Sequence, residues 1–307
     1  MKTNKKQEER SLAYGETDVA GYRKTKRKRT LCIVLCVIFI CITALFCFGR
    51  IGCLYSDTTL RFWRPDYPQT DISALLEKEL LTEKEYELLY RQTGLTKLGI
   101  EDMRHDEEGR SKILQIQECM FRDYDLITRN FGLFTYTEEL GTRTEEQFCA
   151  IAKLRDGDIL VSSSMYVAWW RLGHSALVVD GEEERILEAI KPGYKSEISH
   201  VDVYSYRVNF ILLRPKLSET VKANVVEYAK KELVGVKYSL FTGIFNKKFT
   251  TQPKTSNCGH IVWRAYKEYG VDIDANGGKL VLPKDIYRSE YMEVVQVFGL
   301  DLDKLWQ

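Results

Sequence analysis

The chain has 307 residues, with hydrophobic residues at 44% and charged residues at 29%, which is ordinary for a globular protein. This length leaves room for one large domain or two modest ones. The formal net charge of +1 gives no reason to expect a nucleic acid as partner. Residues 1–30 are polar and basic, and we expect them to form a disordered cytosolic tail.

Residues 31–49 carry no charge, and as a helix they would extend about 28 Å, close to the thickness of a bilayer core. Six Lys and Arg residues lie between positions 23 and 29, whereas Arg50 alone follows the run closely. The positive-inside rule then predicts a single-pass anchor with a cytosolic N-terminus and an outward-facing remainder. A cleaved signal peptide is the alternative. The long leading segment, the length of the apolar run and the lack of a small-x-small site disfavour it.

Residues 50–150 are predicted to form a helical stalk, or a helical subdomain packed on the C-terminal part of the chain. Ile72, Leu76 and Leu80 recur at helical spacing, and Thr82 is a predicted cap for the next helix. A further amphipathic helix is predicted from Ile113 onward, and helical patterns continue to about residue 130. This segment shows no catalytic constellation.

Residues 151–307 are predicted to form an α+β domain with an antiparallel sheet packed on helices. The run 174–179 and the run 185–190 read as a hairpin around the polar segment 180–184. Ser218 is a predicted cap for a helix that Gly235 closes, and a further helix begins near Cys258. Other predicted strands are 159–161, 208–213 and 293–297.

The cysteines divide into two groups. Four of the eight lie in the apolar run, where they are best explained as small hydrophobes. The outward part keeps Cys53, Cys119, Cys149 and Cys258, which are scattered without the spacing of a disulfide framework or a metal site. A nucleophile is one explanation for an isolated cysteine in an exported domain.

Cys258 is predicted to lie in the first turn of a helix, with Ser256 or Asn257 as its cap and a stop at Gly270. One face of this helix should be buried, because apolar residues recur at helical spacing at Ile261, Val262, Ala265, Tyr266 and Tyr269. The unpaired amides and the helix dipole at this position favour a thiolate, as in cysteine hydrolases. The alternative is a small buried core residue.

A cysteine nucleophile needs a base and an acceptor that orients the base. His260 should point to another flank of the helix, as a surface residue or one behind the site, whereas His174 follows Gly173 at the start of a strand. Glu188 is a charged residue inside an apolar strand, and such a carboxylate is seldom buried without a partner. A hairpin pivoting at Gly181 places His174 opposite Glu188, and a loop centred one residue later makes them diagonal neighbours. The alternative for Glu188 is an edge-strand side chain that reaches water.

Taken together, these motifs resemble those of the circularly permuted, papain-like NlpC-type cysteine peptidases, the YiiX-like group. The resemblance covers about residues 150–297, and its motifs are Gly157-Asp158-Ile159-Leu160, Gly173-His174-Ser175-Ala176, Leu187-Glu188-Ala189, Asn257-Cys258 and Pro283-Lys284-Asp285-Ile286. It implies a Cys258 nucleophile, a His174 base, Glu188 as third member and Tyr238 near the oxyanion site, without a metal or organic cofactor. The chain departs from the family at Gly259 and Ser239, where serine and aspartate are frequent. The run 257–260 also resembles the lecithin:retinol acyltransferase-like group.

The resemblance therefore predicts a membrane-anchored, outward-facing cysteine hydrolase that cleaves amide bonds, with cell-wall (peptidoglycan) peptides as the expected substrate. The alternative is a thiol-dependent acyltransferase or lipid hydrolase acting at the membrane. A third possibility is a catalytically inactive binding module in which Cys258 serves only for packing.

Overall fold

The structure is a computed structural model that describes residues 25–51, 61–130, 135–141, 147–167 and 170–305. Most of the predicted basic tail, together with Cys53, falls outside these ranges. The chain divides into two units, Met1–Tyr55 and Ser56–Gln307.

The first unit contains helix α1, Thr25–Ile51, which has 27 residues and a mean hydropathy of 3.2 over its most apolar stretch. Its side chains between residues 31 and 47 are all exposed. A helix of this length and composition is long and apolar enough to cross a membrane. The predicted anchor is therefore supported, and the helix begins six residues before the uncharged run.

Four helices begin the described part of the second unit: α2 (Ser73–Leu76), α3 (Glu83–Thr93), α4 (Lys97–Met103) and α5 (Glu107–Phe121). Thr82 caps α3 as predicted, and its hydroxyl and the Glu85 carboxylate form a capping box. Leu80, predicted to be helical, instead lies in the exposed turn between α2 and α3.

The main sheet has six strands in the order β12-β9-β3-β6-β7-β8, and every neighbouring pair is antiparallel. The strands are β3 (Ile159–Ser162), β6 (His174–Asp180), β7 (Arg185–Glu188), β8 (Glu197–His200), β9 (Phe210–Pro215) and β12 (Met292–Phe298). Helices α6 (Asp202–Ser205), α7 (Glu219–Glu232), α8 (Cys258–Lys267) and α9 (Pro283–Tyr287) complete this part. Helices α7 and α8 pack against β6, so the predicted mixture of helices and antiparallel sheet is confirmed.

A second antiparallel sheet, which the sequence patterns did not reveal, has the order β1-β2-β4-β5. Its strands are β1 (Leu126–Asn130), β2 (Thr135–Leu140), β4 (Met165–Val167) and β5 (Trp170–Arg171). The prediction of helices up to about residue 130 is therefore wrong for residues 126–130, which form β1. The β-branched pair Ile127 and Thr128 favours a strand, and exposure alternates along β1 with the period of two typical of a strand.

The N-terminal helices of the second unit pack on the main sheet rather than forming a separate stalk. Helix α4 lies against β12, and the apolar side chains of α3 to α5 join those of the sheet in one hydrophobic core. The buried Gln296 of β12 ties the preceding segment down, because its amide nitrogen donates to the carbonyl of Ala150 and its oxygen accepts from the N–H of Ala152.

Candidate active site

Helix α8 places Cys258 at its first position. The side chain of Asn257 caps the helix by accepting a hydrogen bond from the N–H of His260 at 2.9 Å. The sequence predicted that one face of α8 is buried, but residues 259–266 are buried on all faces of the helix. Tyr269, which was predicted to belong to that face, is 40% exposed. Since α8 is enclosed by the fold on nearly every side, its first turn has a fixed position.

His174 and Glu188 meet on neighbouring central strands. The register pairs Leu177 with Leu187, which places Glu188 opposite Ala176. Glu188 is therefore the diagonal neighbour of His174, as in the second of the two predicted registers. The Nε2 atom of His174 and Oε2 of Glu188 are 2.8 Å apart. Strand β7 lies between β6 and β8, and Glu188 is 1% exposed, so the edge-strand alternative is wrong.

Two further residues, which the sequence did not single out, hold this pair in place. The hydroxyl of Ser199 donates to Oε1 of Glu188 at 2.5 Å, so both carboxylate oxygens are bonded. The ring of Tyr204 stacks on the imidazole with 6.1 Å between centroids and 26° between planes. Alternation along β8 could have indicated Ser199, because Glu197, its neighbour two residues away, pairs with Glu188 in register.

Cys258 and His174 interact, and each shifts the pKa of the other. The imidazole Nδ1 of His174 is buried and has no hydrogen-bond partner among the residues that the structure describes, so it is the ring nitrogen available to a substrate or to the thiol. Burial disfavours the thiolate, but the hydrogen bond with His174, its charge, and the N–H groups of Ser175 and Gly259 outweigh burial and lower the pKa of Cys258. These contacts favour a thiolate at Cys258.

The same contacts act on the other two groups. Burial lowers the pKa of His174, yet its hydrogen bonds with Cys258 and Glu188 outweigh this and raise that pKa above its usual value. Burial likewise raises the pKa of Glu188, but the bond with His174 dominates and keeps the carboxyl pKa below its ordinary value. The three groups thus favour a thiolate, an imidazolium and a carboxylate arranged in sequence.

A cavity of about 310 Å³ opens beside the thiol. Apart from Cys258 and Asn257, its walls are glycine and apolar or aromatic residues: Met165, Val167, Trp170, Leu172, Gly173, Tyr238, Leu240, Phe241, Leu280, Val281, Leu282 and Pro283. Tyr238, which the resemblance places near the oxyanion site, lines the same cavity as Cys258. Burial, and then the negative charge of Cys258, raise the pKa of its phenol, so its hydroxyl stays protonated at neutral pH.

The departure at Gly259 has a physical reason. A Cβ atom built at this position would lie 2.1 Å from the carbonyl oxygen of Val281, a distance that real Cβ atoms essentially never show. A serine after the nucleophile would therefore displace the 280–283 wall of the cavity or the helix start. Glycine at this position allows the backbone of Val281 to approach the first turn of α8 closely.

The remaining histidines lie outside the triad. His260, expected at the surface or behind the site, is buried, and its two ring nitrogens contact the Ser256 hydroxyl and the Lys248 carbonyl. Burial lowers its pKa to about 4, so it is neutral at physiological pH. His200, with Glu184 and Asp202, forms a surface group whose ligand atoms lie within 4.8 Å of one another and could hold a metal ion. The Nδ1 atom of His200 already pairs with Asp202 at 3.0 Å.

Cys119 and Cys149 are fully buried, so a substrate cannot reach either sulfur. Their thiols hydrogen-bond each other, which is the largest influence on Cys119 and lowers its pKa to about 7. Among the described cysteines of the second unit, Cys258 is the one that is partly exposed. The accessible thiol is therefore the one beside His174.

Comparisons with known proteins add one relative. The chain is 27% identical over 140 residues to the uncharacterized protein YycO of Bacillus subtilis (strain 168), which is 45% of this chain and 54% of that protein. The chain thus spans about half the length of the relative it matches. No family model matches the chain, and no solved structure matches it. The name of the relative carries no activity.

Proposed function

We propose that the second unit is a cysteine hydrolase in which Cys258 is the nucleophile, His174 the general base and acid, and Glu188 the group that orients the imidazole. The observation that supports this proposal is the arrangement of these three side chains. A partly exposed thiol at a helix start, a buried imidazole and a buried carboxylate follow one another beside an open cavity. The permuted papain-like fold implied by the motifs is part of the same proposal.

In the proposed reaction, the thiolate of Cys258 attacks the carbonyl carbon of the scissile bond. The imidazolium of His174 gives its proton to the leaving group, which departs and leaves a thioester. The neutral imidazole then takes a proton from water, and the hydroxide attacks the thioester. The Cys258 thiolate is expelled as the acid product forms, and the proton taken from water stays on the imidazole, which restores the ion pair. The carboxylate of Glu188 stabilises the imidazolium throughout.

Two groups could donate hydrogen bonds to the oxyanion that forms when the thiolate attacks the carbonyl. The N–H of Cys258 has no acceptor within α8, because a helix leaves its first amides unpaired, and the attacked carbonyl would lie next to it. The phenol of Tyr238 borders the same cavity, and it remains a donor because its pKa is raised by burial and by the Cys258 charge.

The substrate that we propose is an amide bond of a cell-wall peptide, with α1 holding the unit at the outer face of the membrane. Support for the location is the apolar helix α1 and the excess of positive charge on its N-terminal side. Support for the bond type is the triad, whose chemistry is that of cysteine amidases.

The apolar cavity favours a second candidate, in which the acyl group comes from a lipid ester. Cell-wall peptides carry charged groups, whereas the described walls of the cavity offer few polar atoms beyond Asn257, Cys258 and the Tyr238 hydroxyl. An acyl chain would remove its apolar surface from water there, a gain of about 25 cal/mol per Å² buried. Transfer of the acyl group to an acceptor other than water would make the protein an acyltransferase.

The test is product analysis by mass spectrometry of full-length protein in detergent, incubated separately with muropeptides and with phospholipids. Peptide products would support the amidase, and fatty acids or acylated acceptors would support the lipid candidate. The Cys258→Ala variant is the matched control, and equal products from both proteins would remove the proposed chemistry. If Cys258 also fails to react with iodoacetamide at neutral pH, the inactive binding module is the better description.

A further inference from the structure

The segment that joins β10 (Lys237–Tyr238) to β11 (Thr255–Ser256) and α8 is basic. Residues 233–267 contain no Asp or Glu, and lysines occupy positions 237, 247, 248, 254 and 267. Lys248 is held by the Asp274 carboxylate and the Gly278 carbonyl. Lys247 and Lys254 are exposed. The positive charge at this surface is therefore not balanced by acidic residues along the segment.

The same segment exposes four large apolar side chains: Phe241 at 49%, Ile244 at 38%, Phe245 at 77% and Phe249 at 47%. We call these residues, together with Lys247 and Lys254, the aromatic–basic loop. Phe241, Phe245 and Phe249 follow at intervals of four, and the N–H groups of Ile244 and Phe245 donate to the carbonyl of Phe241 in a helical turn. Apolar side chains so close together in water are costly, and they mark an interaction site.

The aromatic–basic loop is exposed even though side chains of α8 hold its backbone in place. The buried Arg264 of α8 donates to the carbonyls of Thr250 and Thr251, at 3.1 Å and 3.2 Å. A nitrogen of His260 lies 2.7 Å from the Lys248 carbonyl. These two side chains of α8 fix the backbone of residues 248–251. Phe249 packs one side of its ring against Trp263 and the Arg264 guanidinium and stays 47% exposed, whereas Phe245 is 77% exposed.

We propose that the aromatic–basic loop inserts into the surface of a phospholipid bilayer, with its phenylalanines among the acyl chains and its lysines at anionic headgroups. Aromatic side chains interleaved with lysines suit this boundary, because rings partition into the interface and lysine is attracted to anionic lipid. A bilayer is the partner that fits, because helix α1 of the same chain is long and apolar enough to cross one.

This contact brings the membrane to the cavity mouth. Phe241 belongs both to the loop and to the wall of the cavity that contains Cys258. Docking therefore places the entrance of the cavity at the lipid surface. The docking itself does not depend on the proposed reaction, since it rests on the exposure and charge of the loop.

The test is site-specific photocrosslinking of the full-length chain in liposomes, in a Cys258→Ala background so that turnover plays no part. p-Benzoylphenylalanine replaces Phe245 in one sample and Leu80, which is 84% exposed in the turn between α2 and α3, in the other. Helix α1 is the same in both samples, so a difference between them does not come from the anchor. Lipid adducts are measured by mass spectrometry in phosphatidylglycerol and in phosphatidylcholine liposomes.

Docking predicts lipid adducts at position 245 in at least tenfold excess over position 80, and more in phosphatidylglycerol than in phosphatidylcholine. Lys247→Gln and Lys254→Gln should each lower the yield at position 245 about fivefold in phosphatidylglycerol, the effect of one lysine near an anionic surface. Equal adducts at both positions, or none at 245, would overturn the proposal. A failure of the Cys258 chemistry would leave these yields unchanged, so the two proposals are tested separately.

Discussion

Replacing Glu188 by glutamine tests whether the carboxylate stabilises the ion pair of the proposed triad. The amide has nearly the same shape and can still meet Nε2 of His174 and the Ser199 hydroxyl, but it carries no charge. A hydrogen bond to a charged group contributes about 1.5–3 kcal/mol, against about 0.5–1.5 kcal/mol for a neutral one. At the 2.8 Å separation of this pair, we therefore expect a loss of about 2 kcal/mol in imidazolium stabilisation.

A loss of that size corresponds to about a thirtyfold fall in the rate of thiolate reactions at a pH where the ion pair dominates. In Glu188→Gln the pKa of the His174 imidazole should fall and that of the Cys258 thiol should rise. The assay is the rate of Cys258 alkylation by iodoacetamide across pH, followed by mass spectrometry. The matched control is Glu197→Gln, since Glu197 is exposed and pairs with Glu188 in register. An unchanged pH profile in Glu188→Gln, or the same change in both variants, would refute the reasoning.

Three further expectations arise from the site. Iodoacetamide at neutral pH should label Cys258 in the folded protein, whereas the buried Cys119 and Cys149 should react only in urea, and peptide mapping distinguishes them. Hydrolysis should have a bell-shaped pH profile that rises through the lowered pKa of Cys258 and falls through the raised pKa of the base; a rise only near the pKa of a free thiol would contradict this. Gly259→Ala should cost about 1–3 kcal/mol and lower the melting temperature by several degrees in a thermal scan, because its Cβ meets the Val281 carbonyl; an unchanged temperature would show that the wall yields.

The local patterns of the sequence predicted most elements of the C-terminal half. The helix start at Cys258, the hairpin that carries His174 and Glu188, and the cap at Thr82 are all present, because capping residues and two-residue alternation act over a few neighbours. The sequence left two registers open, and the pairing of Leu177 with Leu187 is the one that makes Glu188 a diagonal neighbour of His174. The bulge between Val178 and Asp180 is needed for this, because continuing the pairing of Asp180 with Arg185 without it would place Glu188 opposite Leu177, on the other face of the sheet from His174.

What the sequence could not provide depends on contacts between distant segments. Strand β2 pairs with β4 and lies about thirty residues before it, so no local pattern indicates the four-stranded sheet. The sequence left open whether His260 lies at the surface or behind the site, because its burial depends on the Lys248 segment folding over α8. The cavity is likewise invisible in sequence, since Val167, Phe241 and Val281 reach it from three separate segments.

The two strands that carry His174 and Glu188 lie inside the six-stranded sheet, bonded on both sides, while β8 and β12 form its edges. Hydrogen-bonded backbone at the centre of a sheet opens only when the whole unit unfolds, whereas edges open by local fluctuation. Amide hydrogens of β6 should therefore be among the last to exchange with deuterium. Loss of the triad on heating or in denaturant should then coincide with global unfolding, with no earlier inactive state that keeps the sheet intact.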